Sequence, residues 1–135
     1  QNLTRELLKS GANINEINCL RKHLTLVSGG GLARAAHPAR VVSLIISDVV
    51  GSPLDVIASG MTAPDSTDFA DARRILEKYD LVKKVADSIS RHLQKGIRGE
   101  IADTPKADSE IWQTAANFII ADNRKASEAA LEKAC

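Results

Sequence analysis

The sequence predicts an α/β protein built on a layered parallel sheet, and three features predict it. Two short runs, Val41-Val42-Ser43-Leu44-Ile45-Ile46-Ser47 and Asn117-Phe118-Ile119-Ile120-Ala121, are almost continuously apolar and rich in β-branched residues. That is the pattern of strands buried on both faces of a parallel sheet. The stretch between them carries helical periodicity, so the strands are joined by a crossover rather than a hairpin. Finally, 135 residues with 44% hydrophobic content suffice for one domain with one core, not two. Two strands are too few to close such a sheet, so the domain is expected to be incomplete, with further strands outside this chain.

The elements follow in order. Leu3, Leu7 and Leu8 recur at helical spacing and Gly11 stops the first helix. Asn13 or Asn15 caps a second, with Ile14, Ile17, Leu20 and Leu24 on one stripe. Ser28-Gly29-Gly30-Gly31 breaks it, and residues 32–36 make one further turn before Pro38. After the first strand, residues 52–66 form a polar connection long enough to suggest a function. Thr67 or Asp68 caps a helix through Tyr79 with Phe69, Ala72, Ile75 and Leu76 inward. Another helix spans about 81–93, with Val82, Val85, Ile89 and Leu93 as its stripe. Residues 96–109 read as a mobile polar loop, and the final helix, Ala-rich over 126–134, follows the second strand at once after Asp122-Asn123.

Composition excludes several function classes. A formal net charge of +1 provides no electrostatic footprint for nucleic acid or an anionic membrane. Trp112, Tyr79, Phe69 and Phe118 are the whole aromatic complement, too few for base stacking. Two cysteines, Cys19 and Cys135, make neither a disulfide framework nor a metal cluster, which favours a reduced, cytoplasmic setting. No apolar run approaches the roughly 20 residues of a membrane span. The chain starts at Gln1 without a Met and stops at Cys135 within a helical pattern, so a piece of a longer polypeptide is expected.

Ligands of open α/β sheets bind beyond the carboxyl ends of the strands. That rule selects Ser47-Asp48 and Asp122-Asn123. Asp48 is the sharper candidate, since a carboxylate there can ligate a metal ion or accept a substrate proton, against its alternative as a turn carboxylate. Gly29 and Gly30 offer unhindered amides ahead of a helix start, which suits an anion, although no Gly-Lys-Ser/Thr closes a P-loop. Ser59, Gly60 and Thr62 put hydroxyls and a glycine in the long loop, able to wrap a phosphate or hydroxy acid or to form an ordinary turn. Arg21 and Lys22, with His23, either present charge to a ligand or form a solvated helix face. His37 and His92 have no partner spacing.

These residues resemble the class II glycerate kinases. Asn18-Cys19-Leu20-Arg21-Lys22-His23-Leu24 and Gly29-Gly30-Gly31-Leu32-Ala33 are similar to that family's Asn-x-x-Arg-Lys-His-Leu and Lys-Gly-Gly-x-Leu-Ala segments. Ser47-Asp48-Val49-Val50-Gly51 and Ile57-Ala58-Ser59-Gly60-Met61-Thr62-Ala63-Pro64-Asp65 resemble its Ser-Asp-Val-x-Gly-Asp and Ile-Ala-Ser-Gly-Pro-Thr-x-Pro-Asp. Thr104-Pro105-Lys106 and Ala121-Asp122-Asn123 match in order as well. Three positions depart: Ser28 for the usual Lys, Ser52 for an acidic residue, and Met61 for Pro.

The resemblance implies a Rossmann-like N-terminal domain, of which residues 1–135 are the middle portion. The catalytic lysine and a Gly-Gly-Gly-Ser-Ala loop would lie upstream, and a C-terminal MOFRL domain downstream. It implies transfer of the γ-phosphate of ATP to D-glycerate, giving 2-phosphoglycerate, with Mg²⁺ as cofactor and the remainder of its own chain as partner. Asp48 would be catalytic base or metal ligand. Arg21, Lys22, Gly29, Gly30, Ser47, Ser59, Gly60, Thr62 and Asn123 would bind substrate or nucleotide. The piece alone is expected to be inactive, because phosphoryl transfer needs several elements placed at once. Relatives in tartrate-utilisation operons carry the label hydroxypyruvate reductase, but this stretch lacks the Gly-x-Gly-x-x-Gly segment that would support it. A non-catalytic ligand-binding module on the same fold is the other alternative.

Overall fold

A computed structural model describes residues 2–134. Helices α1 (Asn2–Lys9), α2 (Ile14–Leu24) and α3 (Gly31–Ala36) lead into strand β1 (Val41–Ser47). Helices α4 (Phe69–Lys78) and α5 (Asp87–Ile97) follow, then strand β2 (Ala115–Asp122) and helix α6 (Asn123–Ala134). Strands β1 and β2 pair in parallel, from Val41 opposite Ala115 to Ser47 opposite Asp122, with a register shift between Ile45 and Ile46. The α/β class and the parallel crossover are as expected.

The buried core is helical. Leu7 of α1, Ile17, Cys19 and Leu20 of α2, Phe69, Ala72 and Leu76 of α4, Leu81, and Leu93 of α5 form one cluster. Local sequence sets its entry points. Asn13 caps α2 by accepting from the Glu16 amide at 3.0 Å, while the Glu16 carboxylate accepts from the Asn13 amide at 2.9 Å. That same carboxylate reaches across to Lys78 Nζ at 2.6 Å and the Tyr79 hydroxyl at 2.8 Å, tying α2 to the end of α4. Asp68 and Asp71 repeat the reciprocal cap at α4. Gly96 lets α5 close on α4, since a Cβ there would overlap the Phe69 ring.

Several expectations need correction. The second helix of the crossover begins at Asp87, not 81, because Ala86 is extended and residues 81–85 form turns that carry Leu81 into the core. Helix α6, by contrast, follows the second strand at once as expected, beginning at Asn123. Ile14 is exposed rather than on the buried stripe. Strand β1 is not covered on both faces. Val42, Leu44 and Ile46 are exposed while Ser43 and Ile45 are half-buried, because no element among the described residues packs on the outer face. Residues 96–109 are not a loose loop either, since Thr104 and Pro105 are buried in the middle of the molecule.

Candidate functional site

Polar side chains gather in two places. The first lies where the strand-end rule put it. Ser47, the last residue of β1, is buried, and its hydroxyl accepts from the Val49 amide at 3.2 Å, which turns the chain outward. Asp48 follows with its side chain exposed. The Asn123 side-chain amide donates to the Asp48 carbonyl at 2.9 Å, tying the first turn of α6 to the loop after β1. Between them opens a cleft of about 500 Å³ lined by Val49, Gly51, Ser52, Asp122, Asn123 and Arg124. Asp122 caps α6 by accepting from the Lys125 amide at 2.8 Å.

The second is a buried polar cluster at the centre of the chain. Asp65 is its hub, with its side chain 0% exposed. Its Oδ1 accepts from Lys22 Nζ at 3.2 Å, the Thr67 amide at 3.0 Å and the Thr67 hydroxyl at 2.8 Å. Its Oδ2 accepts from the Thr104 hydroxyl at 3.0 Å. Burial pushes the Asp65 carboxyl up, but the two hydrogen bonds from Thr67, the Lys22 charge and the Thr104 hydroxyl outweigh it and hold the group below the usual carboxylate range. Lys22 also lies 3.7 Å from the half-exposed Asp55.

His23 is buried beside it. Its Nδ1 donates to the Cys19 carbonyl at 2.8 Å, and its Nε2 lies 3.1 Å from Asp103 Oδ1. The strap at 103–106 is clamped by Lys106 Nζ donating to the Thr67 carbonyl (2.5 Å) and by the Pro105 carbonyl accepting from the Asp65 amide (3.1 Å). Burial of Cys19 raises its thiol to about 11, and the residue packs in the core as a small apolar group.

Most of the residues singled out in the sequence fall in this second cluster, and their polar groups are already engaged. The Gly29 amide donates to the Ser59 carbonyl at 2.9 Å and the Gly30 amide to the Gly60 carbonyl at 2.7 Å, so the amides expected to face an anion instead staple the glycine turn to the long loop. Both glycines have positive φ, and a Cβ on Gly30 would come within 2.7 Å of the Trp112 ring. The Ser59 hydroxyl donates to Asn18 Oδ1 at 3.0 Å. Gly60 takes φ +64° against the Asp55 backbone. Thr62 accepts from Ser43 at 3.0 Å and donates to Asn117 Oδ1 at 2.5 Å, which pins the loop across the two strands.

Lys22 and His23 are therefore not a solvated face. Arg21 points the other way, exposed beside an apolar groove lined by Leu3, Leu7, Leu20 and Ile89. The structure brings Ser47, Asp48 and Asn123 together at the strand ends, gathers Lys22, Gly29, Gly30, Ser59, Gly60 and Thr62 inside, and separates Arg21 from both.

Sequence reasoning missed Asn18, Asp65, Thr104 and Asn117 as members of the cluster. Asp65 and Thr104 stood inside quoted motifs, but nothing in their spacing shows that residues 39 positions apart share a hydrogen bond. His92 was set aside, yet its Nε2 donates to the His23 carbonyl at 2.9 Å and its ring meets Phe69 edge-on. Among the described residues no group of three or more His, Cys, Asp or Glu is placed to hold a metal ion. No described helix is long and apolar enough to cross a membrane.

Comparison with known proteins adds the relatives. A family model described as "Domain of unknown function (DUF4147)" matches residues 1–94. The chain is 49% identical over 128 residues to glycerate 2-kinase of Pyrococcus horikoshii, covering 95% of this chain and 28% of that protein. It is 40% identical over 134 residues to glycerate kinase of Danio rerio, covering 99% and 27%. Among solved structures, it superposes on a protein from Pyrococcus horikoshii with a TM-score of 0.85 at 48% identity, over 98% of this chain and 29% of that one. Glycerate kinase from Thermotoga maritima superposes with a TM-score of 0.80 at 42% identity, over 96% and 28%. The chain thus spans little more than a quarter of the length of these relatives.

Proposed function

The chain belongs to the DUF4147 family, and from that premise we propose that it is the central part of the N-terminal domain of a kinase that phosphorylates D-glycerate with ATP. The observation that carries the reading is the 49% identity, over 95% of the chain, to a protein named glycerate 2-kinase. The remainder of its own polypeptide completes the domain and the catalytic apparatus, and the chain alone is inactive.

The strand-end cleft is an open part of this chain that lies where the strand-end rule places a ligand. Asp48 carries an exposed carboxylate next to the residues that line it, and Asn123, at the neighbouring strand end, holds the Asp48 backbone. In this reading Asp48 accepts the proton of the reacting glycerate hydroxyl or ligates the cation. A site of one or two carboxylates, with water and substrate phosphates as the other ligands, suits Mg²⁺, which keeps much of its hydration. Asp48 and Asp122 would hold it, and the ion would supply charge neutralisation between phosphate oxygens. The Gly51-Ser52 turn and the N-terminus of α6 border the same cleft. Lys22, Gly29, Gly30, Ser59, Gly60 and Thr62 serve the site from behind by fixing the long loop to the strands. Arg21 has no assigned contact in it.

The test is ADP release by the full-length gene product with ATP, Mg²⁺ and D-glycerate, against a control lacking glycerate. Glycerate-dependent ADP supports the reading. No ADP release, with hydroxypyruvate driving NAD(P)H oxidation instead, overturns it.

A further inference from the structure

Away from the strand-end cleft, one buried side chain is held in a way its neutral form cannot satisfy. The His23 side chain is 0% exposed, and both of its ring nitrogens face oxygens that only accept. Nδ1 lies 2.8 Å from the Cys19 carbonyl, one helical turn back, and Nε2 lies 3.1 Å from Asp103 Oδ1. Asp103 Oδ1 also accepts from the Thr104 amide at 2.8 Å, and its Oδ2 lies 3.4 Å from Lys106 Nζ, so it meets His23 as a carboxylate. A neutral imidazole has one N–H and one lone pair. Either neutral tautomer would set that lone pair against an acceptor oxygen, and only the imidazolium supplies a proton to each. His23 also sits in the last turn of α2, where the helix dipole favours a cation.

We propose that His23 is an imidazolium latch: doubly protonated, it bolts the 103–106 strap onto α2, and loss of one ring proton releases the strap. The charged groups around it fit this role. Asp65 Oδ2 lies 3.9 Å from Nε2, while Lys22 is paired with Asp65 at 3.2 Å. From α3, Arg34 donates to the Asp103 carbonyl at 2.7 Å. From α4, the Phe69 ring makes a T-shaped contact at 4.9 Å between centroids. From α5, His92 spends its Nε2 proton on the His23 carbonyl at 2.9 Å, and Cys19 offers its carbonyl while its thiol stays protonated. Asp103 is the half of the latch that moves. Its side chain is 34% exposed, so water can replace the imidazolium on Oδ1, whereas the Cys19 carbonyl is fixed inside α2. The bond is therefore present on the acid side of the histidine range and lost as pH rises through it. Ile101, Ala102 and Thr104 wall a cavity of about 80 Å³ shared with Lys22 and His92, so release of the strap lets water into the buried cluster.

Selective ¹⁵N labelling of histidine in the full-length gene product reads the ring directly. At about pH 5.5, within the histidine range, His23 should show two protonated, near-equivalent ring nitrogens, assigned by their loss in His23→Gln. One protonated and one bare nitrogen would overturn the proposal. Two amides report on the strap: Thr104, bonded to Asp103 Oδ1, and Asp65, which donates to the Pro105 carbonyl at 3.1 Å. Their hydrogen-exchange protection, corrected for the intrinsic rate, should fall about 10-fold or more between about pH 5.5 and about pH 8.5. Equal protection at both pH values would sink the latch. Asp103→Asn, at a half-buried position, removes the carboxylate with little change of shape and should abolish the fall, as should His23→Gln where it folds. His92→Gln should keep it. A fall that persists in Asp103→Asn, or disappears in His92→Gln, would assign the change to another group. None of these readouts uses ATP or glycerate, so failure of the kinase reading leaves this proposal standing, and the reverse.

Discussion

The strand-end cleft and the Asp65 cluster hold similar side chains in opposite circumstances. In the cluster, each carboxylate oxygen of Asp65 has its donors, the side chain is wholly buried, and the partners come from α2, the long loop and the 103–106 strap. At the edge of the cleft, Asp48 is exposed and held through its backbone rather than its carboxylate. A buried, fully satisfied carboxylate fixes the positions of other elements, and its removal leaves an uncompensated charge. An exposed carboxylate on a fixed backbone costs the fold little and stays free to meet a ligand. Polarity alone does not mark a site; unused hydrogen-bonding capacity in a held frame does.

The sharpest way to break that contrast is Asp65→Asn. It strands Lys22 in the interior and should cost about 3–5 kcal/mol, read as a shift of the urea midpoint. A change under about 1 kcal/mol would mean the cluster is not the anchor. The pH dependence has a definite sign. Asp65 is held below its unfolded range, so its contribution is fully present above the unfolded carboxylate value, near 4, and is lost as pH falls through the lower folded value. Stability of the unmodified protein relative to Asp65→Asn should shrink below about pH 4 and stay flat above about pH 5.

Next in size, Asp48→Asn in the full-length enzyme should lower kcat about 100-fold or more, equivalent to about 2.7 kcal/mol. Its Tm should stay unchanged, since exposed substitutions usually fall within about 0.5 kcal/mol. Loss of Tm without loss of kcat would exchange the roles assigned to the two regions. Gly30→Ala should destabilise by about 1–3 kcal/mol, because its Cβ would meet the Trp112 ring at 2.7 Å and its φ is +81°. The smallest effect is expected for Asn123→Ala, about 0.5–1.5 kcal/mol from one hydrogen bond to the Asp48 carbonyl. In that variant kcat should fall by more than Tm predicts if the bond positions Asp48.

Much of the architecture was legible because it is local. Asn13 and Asp68 are capping residues by type and by the acidic group three positions later, and both caps formed. The β-branched runs gave two strands, and the strand-end rule selects Ser47, Asp48 and Asn123, which the structure places side by side. The Asp65 cluster was not legible in the same way. Its members come from positions 18 to 117, and their periodicities carry no record of which loops meet. Lys22 illustrates the difficulty. A lysine on a polar helix turn reads as solvated, and only the return of residues 55–65 over α2 makes it buried and paired.

By itself, then, the sequence determined what nearest neighbours along the chain control: helix starts, glycine turns, strand composition, and the order of motifs that identifies the family. Only the tertiary structure decided which polar groups are consumed internally and which stay open. Hydrogen bonds such as those joining Asp65 to Thr104 and Thr62 to Asn117 depend on separations through space, and burial is a property of the packed chain rather than of any residue type.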